Sequence, residues 1–199
     1  MALISRAEKA IASKSEDADE WADQVKVALG STAAMPEAMR AYLPAAPADL
    51  AAWVRTLSRT GEPEVGRRIF GHRNGPGCLT CHVVQGRGGL VGPDLTSYAA
   101  GRTVEAMVRS ILDPAAEVAP QFAPWVIELT DGRTVEGMIV QENVGKITIG
   151  RADGSTETFD SSAVAARSPT TGSIMLQGLV DRMTRREFRD LVSYLRSLK

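Results

Sequence analysis

The sequence predicts a mainly α protein that carries an inserted small antiparallel β meander and an extra helical segment at its N-terminus. Three observations predict it. Apolar residues recur at helical spacing within the first 60 residues, from 104 to 112 and after 184. From 125 to 160 the apolar period falls to two, with Asp131-Gly132 and Asp153-Gly154 as hairpin signals. Residues 71 to 101 hold eight glycines and two prolines, too many for the interior of a helix or strand. An irregular stretch of that length inside a compact domain is either functional or disordered.

In chain order, Trp21, Val25, Ala28 and Leu29 share one helical face, and Gly30 can end that helix. Leu50, Trp53, Val54 and Leu57 repeat the spacing after a break from Pro44 to Pro47. Pro63 suits a first helical turn, with Val65, Ile69 and Phe70 as its apolar face. After the glycine-rich stretch, Val104, Met107, Val108, Ile111 and Leu112 form a stripe that Thr103 can cap and Pro114 ends. Residues 119 to 166 read as four or five antiparallel strands. Thr184-Arg185-Arg186-Glu187 has the form of a capping box, followed by Phe188, Leu191, Val192, Leu195 and Leu198 on one face.

With 199 residues the chain can bury a real core. Its 23 basic residues against 24 acidic ones argue against a nucleic-acid binder working by bulk charge. No run approaches the ~18 apolar residues of a membrane span. The opening MALISRAEKAIASKSEDADEW has no apolar core of the secretory kind. Charge is unevenly placed: 3 basic and 7 acidic residues lie in 119 to 166, but 7 basic and 3 acidic in 167 to 199. Two such segments either face each other or present separate docking surfaces; the former is expected.

The chemistry concentrates in one window. The only cysteines are Cys78 and Cys81, and His82 follows at once. C-x-x-C-H is a haem attachment pattern: two thiols three positions apart can each add to one vinyl group of a haem edge, and the next histidine is carried under the ring toward the iron. A zinc site would need four ligands, and adjacent Cys81 and His82 chelate poorly together. A thioredoxin-like pair should cap a helix after a strand, not sit in a glycine-rich loop. Some ten residues on, the Pro93 carbonyl can accept a hydrogen bond from the second histidine nitrogen, fixing its tautomer; a plain turn proline is the other reading. His72 is the only other histidine, and it reads as a surface residue or a propionate contact. Arg67, Arg68, Arg73 and Arg87 flank the window; each is a propionate partner or a solvated side chain. Tyr98 either lines the haem or simply packs.

Gly66 to Phe70, CLTCH, GLVGPDL, the stripe ending Ile111-Leu112-Asp113-Pro114, ELTDGRTVEGMIV, SIMLQGL and Asp190 to Leu195 together resemble a class I cytochrome c. More narrowly they resemble the planctomycete/verrucomicrobial-type haem-binding domain family. The resemblance covers Gly61 to Lys199 and leaves residues 1–60 as a separate N-terminal helical segment. It implies a split haem-binding core, 61–118 and 167–199, with residues 119–166 as an inserted β subdomain. It also implies a close crossing of the first and last core helices at Gly66, with Phe70 and Tyr194 packed there.

The sixth iron ligand is expected to be Met175. Met1, Met35 and Met39 belong to the N-terminal region, Met107 to a core stripe and Met138 to an insert strand. Met183 immediately precedes the Thr184 cap and is expected to pack on the last helix. Met175 lies in a loop and matches the family's ligand position, although Leu176 stands where the family usually has proline. The function expected is electron transfer by one covalent haem c, bound through Cys78 and Cys81, with His82 and Met175 on the iron and Pro93 behind His82. No catalysis is expected of it. The alternative is a haem-based sensor or peroxidase-like enzyme with a labile sixth ligand. The resemblance implies a periplasmic or otherwise exported location, and a redox partner protein or fused dehydrogenase domain.

Overall fold

The computed structural model describes residues 2–15, 18–40, 42–43 and 49–199. The Pro44-to-Pro47 break and Met1 lie outside them. Helices α1 (Ala2–Ala12), α2 (Ala18–Leu29) and α3 (Glu37–Arg40) come first, followed by the short α4 (Leu50–Arg55). α5 (Pro63–Gly71) leads into the glycine-rich loop, whose strands β1 (Val83–Val84) and β2 (Arg87–Gly88) pair in a two-residue ladder. α6 (Val104–Leu112) precedes β3 (Pro124–Leu129), β4 (Thr134–Asn143), β5 (Lys146–Gly150), β6 (Thr156–Asp160) and β7 (Val164–Pro169). α7 (Arg185–Ser197) closes the chain. Among the described residues no helix is long and apolar enough to cross a membrane.

The expectation of a mainly α protein is overturned: the chain is 43% helix and 19% strand, a mixed α and β protein. The reason is the size of the sheet. Four strands follow one another as a meander, and β7 then returns to pair with β3, giving the antiparallel order β6-β5-β4-β3-β7. β7 runs to Pro169, three residues beyond the expected end of the insertion at 166. Ile127, Leu129, Val135, Ile147, Ile149 and Phe159 form the sheet's own core. All three basic residues of the segment pair within the sheet, where Arg133 bridges Asp131 and Glu157, Lys146 meets Asp160 and Arg151 meets Glu157, so its acidic excess remains. One pair, Arg167 with Glu142 at 2.8 Å, joins the acidic segment to the basic one.

Two further cores sit apart from the sheet. Ala7, Ala22, Val25, Met35 and Met39 pack within the N-terminal helices. The larger core joins Phe70, Val108, Leu112, Phe188, Leu191 and Leu195, and it includes Trp53 of α4. Trp53 meets the Phe188 ring edge-on at 5.1 Å between centroids. Residues 49–58 therefore pack with the helical core, and only the stretch before them forms its own unit.

The local signals act where they stand. Thr103 Oγ1 accepts from Ala106 N at 3.2 Å to cap α6. Thr184 and Glu187 form the reciprocal capping box, with Thr184 N donating to Glu187 Oε2 at 2.8 Å. α5 and α7 cross where Gly66 faces the Asp190 carbonyl, and a Cβ at 66 would also lie 2.8 Å from Tyr194 Cβ. Beside the crossing, Phe70 and Tyr194 pack edge-on at 5.5 Å. Asp190 is only 3% exposed, and its carboxylate accepts from Glu62 N at 2.8 Å, at the α5 N-terminus where negative charge is favoured. Gly61 N donates to Ser193 Oγ at 3.0 Å, a second tie across the same crossing.

One buried charge cluster joins α2 to the start of α7. Lys26 is 1% exposed, with Nζ 3.5 Å from Asp23 Oδ1 and 5.4 Å from the Trp53 ring centroid. Burial pulls the lysine below its ordinary value, opposed by Asp23 and Asp181.

Two predictions follow from this packing. On an exposed helix face Gly→Ala stabilises by up to ~1 kcal/mol. Gly66→Ala should instead destabilise by about 1–3 kcal/mol, the range for overpacking, read as a lower urea midpoint. Lys26→Met removes one partner of a buried pair and leaves the Asp23 carboxylate to Arg185, so it should destabilise at pH 7, by at most about 3–5 kcal/mol. A lowered folded value means the unfolded chain binds more protons between that value and about 10.4, so the native protein gains stability as pH rises through this window. The deficit of Lys26→Met relative to the unaltered chain should therefore grow when melting temperatures are compared at pH 7 and pH 9.5.

Candidate functional site

The glycine-rich loop folds back on itself around Cys78-Leu79-Thr80-Cys81-His82. The segment Cys78–Thr80 makes one 3-10 turn, and Cys81 N and His82 N both donate to the Cys78 carbonyl, at 3.2 and 3.0 Å. The β1–β2 ladder then reverses the chain. The returning chain is stitched to the motif by Gly89 N to Leu79 O at 3.0 Å, Gly92 N to Cys81 O at 2.7 Å and Leu95 N to Val83 O at 2.8 Å. Gly92 is required here because a Cβ would lie 2.7 Å from both Nδ1 and Cε1 of His82.

His82 Nδ1 lies 2.9 Å from the Pro93 carbonyl oxygen. A carbonyl can only accept, so Nδ1 carries the proton and Nε2 keeps the lone pair. Burial lowers the histidine's proton affinity, and the Pro93 bond offsets part of that. The imidazole is thus neutral at pH 7, the form a metal ligand needs. Burial also pushes the Cys78 thiol up to about 12. Cys81 is raised too, first by burial and then by the charge of Asp153. Both cysteines are free thiols.

These residues line a cavity of about 860 Å³. Such a volume is near the top of the ~300–1,000 Å³ usual for small-molecule and cofactor sites. Cys78, Cys81, His82 and Pro93 all lie on its wall, and Phe70, Leu95, Ile111, Leu179, Leu191 and Leu195 supply apolar surface from the helical core. Met175 reaches the same wall from residues 170–178, which contain neither helix nor strand. Its backbone N–H donates to Ser173 Oγ at 3.1 Å, and the next residue, Leu176, is 45% exposed.

Two methionines besides Met175 reach the cavity wall. Met183 is fully buried in the helical core, as its place before the Thr184 cap suggests, yet it also lines the cavity. Met138, set aside as a strand residue, is on the wall as well. It pairs across the sheet with Pro124 and Gly150, and a Cβ on Gly150 would lie 2.7 Å from Val91 Cγ2. This row is where the sheet's second face meets the glycine-rich loop. Met35, Met39 and Met107 are buried elsewhere.

Of the arginines flanking the motif, Arg73 is on the cavity wall. Arg67 instead pairs with Glu64 at 3.1 Å, and Arg87 is exposed on β2. Sequence proximity missed Arg102 and Arg182, which line the cavity from the far end of the loop and from the turn Leu179–Arg182. Arg102 lies 4.8 Å from the centroid of the Tyr98 ring, itself on the wall. His72 is exposed at the end of α5 and is not a wall residue.

The insertion touches the site directly. Ala152 and Asp153 of the β5–β6 turn line the cavity, and a Cβ on Gly154 would lie 2.9 Å from the Thr80 carbonyl oxygen. The only feature that marked this turn in the sequence was its Asp-Gly hairpin signal.

Among the described residues no three His, Cys, Asp or Glu side chains are grouped to hold a metal ion by themselves. The wall carries two thiols, one imidazole and thioethers around a large apolar space, with three arginines and three carboxylates, Asp94, Glu117 and Asp153, spread round it. That chemistry fits a flat, apolar, iron-bearing macrocycle with carboxylate arms better than it fits a bare ion. No family model and no curated protein sequence matches the chain.

Replacing Gly92 by alanine should push the His82 ring off the Pro93 carbonyl. A nitrogen-correlated NMR spectrum of His82 should show the Nδ1-protonated tautomer in the unaltered chain and a mixture in Gly92→Ala. An unchanged tautomer in that variant would mean that the loop shifts and the ring does not.

Proposed function

We propose that the chain is a c-type cytochrome module: an electron carrier with one haem bound covalently through Cys78 and Cys81 and ligated by His82 and Met175. The observation that carries this is CLTCH on the wall of an 860 Å³ cavity, with His82 held by Pro93 so that Nε2 keeps its lone pair. When bound, haem supplies a one-electron ferric/ferrous couple. Pro93 orients His82 and makes it a stronger donor. Arg73, Arg102 and Arg182, which line the cavity, would balance propionate charge, Arg102 being steadied on Tyr98. The apolar wall excludes water, and a thioether as second ligand favours the ferrous form relative to a second imidazole. With His82 and Met175 both holding the iron, the protein would tune a potential rather than open the metal to a substrate.

The partner in this reading is a redox protein or a dehydrogenase domain. The location is periplasmic or exported, because double thioether attachment belongs to c-type maturation outside the bacterial cytoplasm. The segments from Gly66 to Leu195 that resemble the class I family support both statements.

The test is an absorption spectrum of the purified protein, oxidised and reduced. A Soret band that survives denaturation and acid-acetone extraction is expected, and Cys78→Ala with Cys81→Ala should abolish it. Absence of any Soret band from protein matured in an exporting host overturns the proposal. Met175→Ala should remove the near-infrared sulfur-to-iron band, lower the potential and admit carbon monoxide to the ferrous haem. Met183→Ala should leave all three nearly unchanged. The reverse pattern would move the assignment to Met183, and rapid stoichiometric carbon monoxide binding by the unaltered protein would favour the sensor or peroxidase-like alternative.

A further inference from the structure

We infer that Asp23, in the N-terminal helical unit, is a positioning residue that holds in place the cavity wall formed by residues 175–183, acting through Arg185. The inference rests on the haem reading of the site for its consequence, and on the buried contacts alone for its geometry.

Asp23 is 4% exposed. Its Oδ2 accepts from Arg185 N at 3.2 Å and from Arg185 Nε at 2.8 Å, across 162 positions of chain. Arg185 is the first residue of α7, so the carboxylate sits at a helix N-terminus, where negative charge is favoured. One turn along α2, Lys26 pairs with the other Asp23 oxygen and feels the charge of Asp181 in the turn Leu179–Arg182. α2 therefore meets the segment 179–185 at Arg185 by hydrogen bonds and at Asp181 by charge. The other side of the same short segment is cavity wall: Leu179, Arg182 and Met183.

The loop before it carries Met175 and has no helix or strand to fix it. Its C-terminal anchor is the turn that α2 holds. A buried ion pair is a poor source of net stability, and apolar residues of the same volume would pack as well. What the pair supplies is a fixed position, since charge-assisted hydrogen bonds to both backbone and side chain of Arg185 are directional. α2, which lies in the stretch that the resemblance leaves without a role, is thereby assigned one: it braces the methionine side of the cavity.

The experiment compares the unaltered holoprotein with Asp23→Ala, Asp23→Asn and Lys26→Met. Lys26→Met keeps both bonds to Arg185 and serves to separate positioning from general packing. In Asp23→Ala the ferrous protein should bind carbon monoxide about tenfold faster, the equivalent of losing one charge-assisted hydrogen bond, and the near-infrared band should weaken. Asp23→Asn should change in the same direction by less, and it decides the matter if the alanine variant does not fold. Lys26→Met should leave both readouts near those of the unaltered protein.

Amide hydrogen exchange over residues 176–183 reads the brace without reference to the iron. It should accelerate in Asp23→Ala and Asp23→Asn but not in Lys26→Met. If the unaltered protein lacks the near-infrared band, the ligand assignment fails and exchange alone decides the brace. Folded Asp23 variants with unchanged exchange overturn the inference, as does a Lys26→Met variant that changes as much as Asp23→Ala.

Discussion

The approach of α5 to α7 at Gly66 is the constraint on which the rest of the molecule hangs. It is a contact between backbones, so no side chain at position 66 can be accommodated. Two buried ties across it, from Asp190 and Ser193, fix the angle and register of the pair. The cysteine-bearing loop leaves from the C-terminal end of α5, and the methionine-bearing loop enters α7 at its N-terminal end. A single helix crossing thereby sets the distance between the two walls of the cavity. The walls divide by chemistry as well. Helices supply the apolar surface, while the thiols, the imidazole and Met175 come from irregular backbone. That division suits a site in which rigid packing must position a few exact donors.

Legibility in the sequence followed the range of the interaction involved. Thr103 and the Thr184–Glu187 box could be read because a cap is satisfied within four residues. The contact of His82 with the Pro93 carbonyl could be read because it spans only eleven positions. The fold class could not be read correctly. Period-two patterning and Asp-Gly turns identify hairpins, but nothing local states that β7 returns to the far side of β3. Met138 was set aside on similar grounds: strand parity says that it opposes Ile139, not that the glycine-rich loop covers its face. Arg102 and Arg182 were missed because nearness to the motif in sequence is a poor guide to nearness in a cavity closed by distant segments. Lys26 and Asp23 gave no signal at all, since charged residues on an amphipathic helix ordinarily face solvent.

The three cores of the molecule are of unequal consequence for the site. The helical core forms its apolar wall, and the sheet meets it through one corner, Pro124–Met138–Gly150, and one turn, Ala152–Gly154. The N-terminal helices do not reach it but press on the segment that does. The sheet therefore contacts the site at Thr80, whereas α2 supports from behind the segment that carries Met183.

The pairing of β3 with β7 has a further meaning for how such a chain tolerates its own insertion. Thr170 N donates to the Pro124 carbonyl at 2.8 Å, so the chain leaves the helical core and rejoins it at nearly one point. Loop-closure entropy grows only with the logarithm of loop length, and here the sheet closes the loop by its own hydrogen bonds. To the helices the whole insertion counts as a short connector. Its strands can lengthen, shorten or acquire new faces without altering the span the core must bridge, so long as Gly154 keeps its foothold on Thr80.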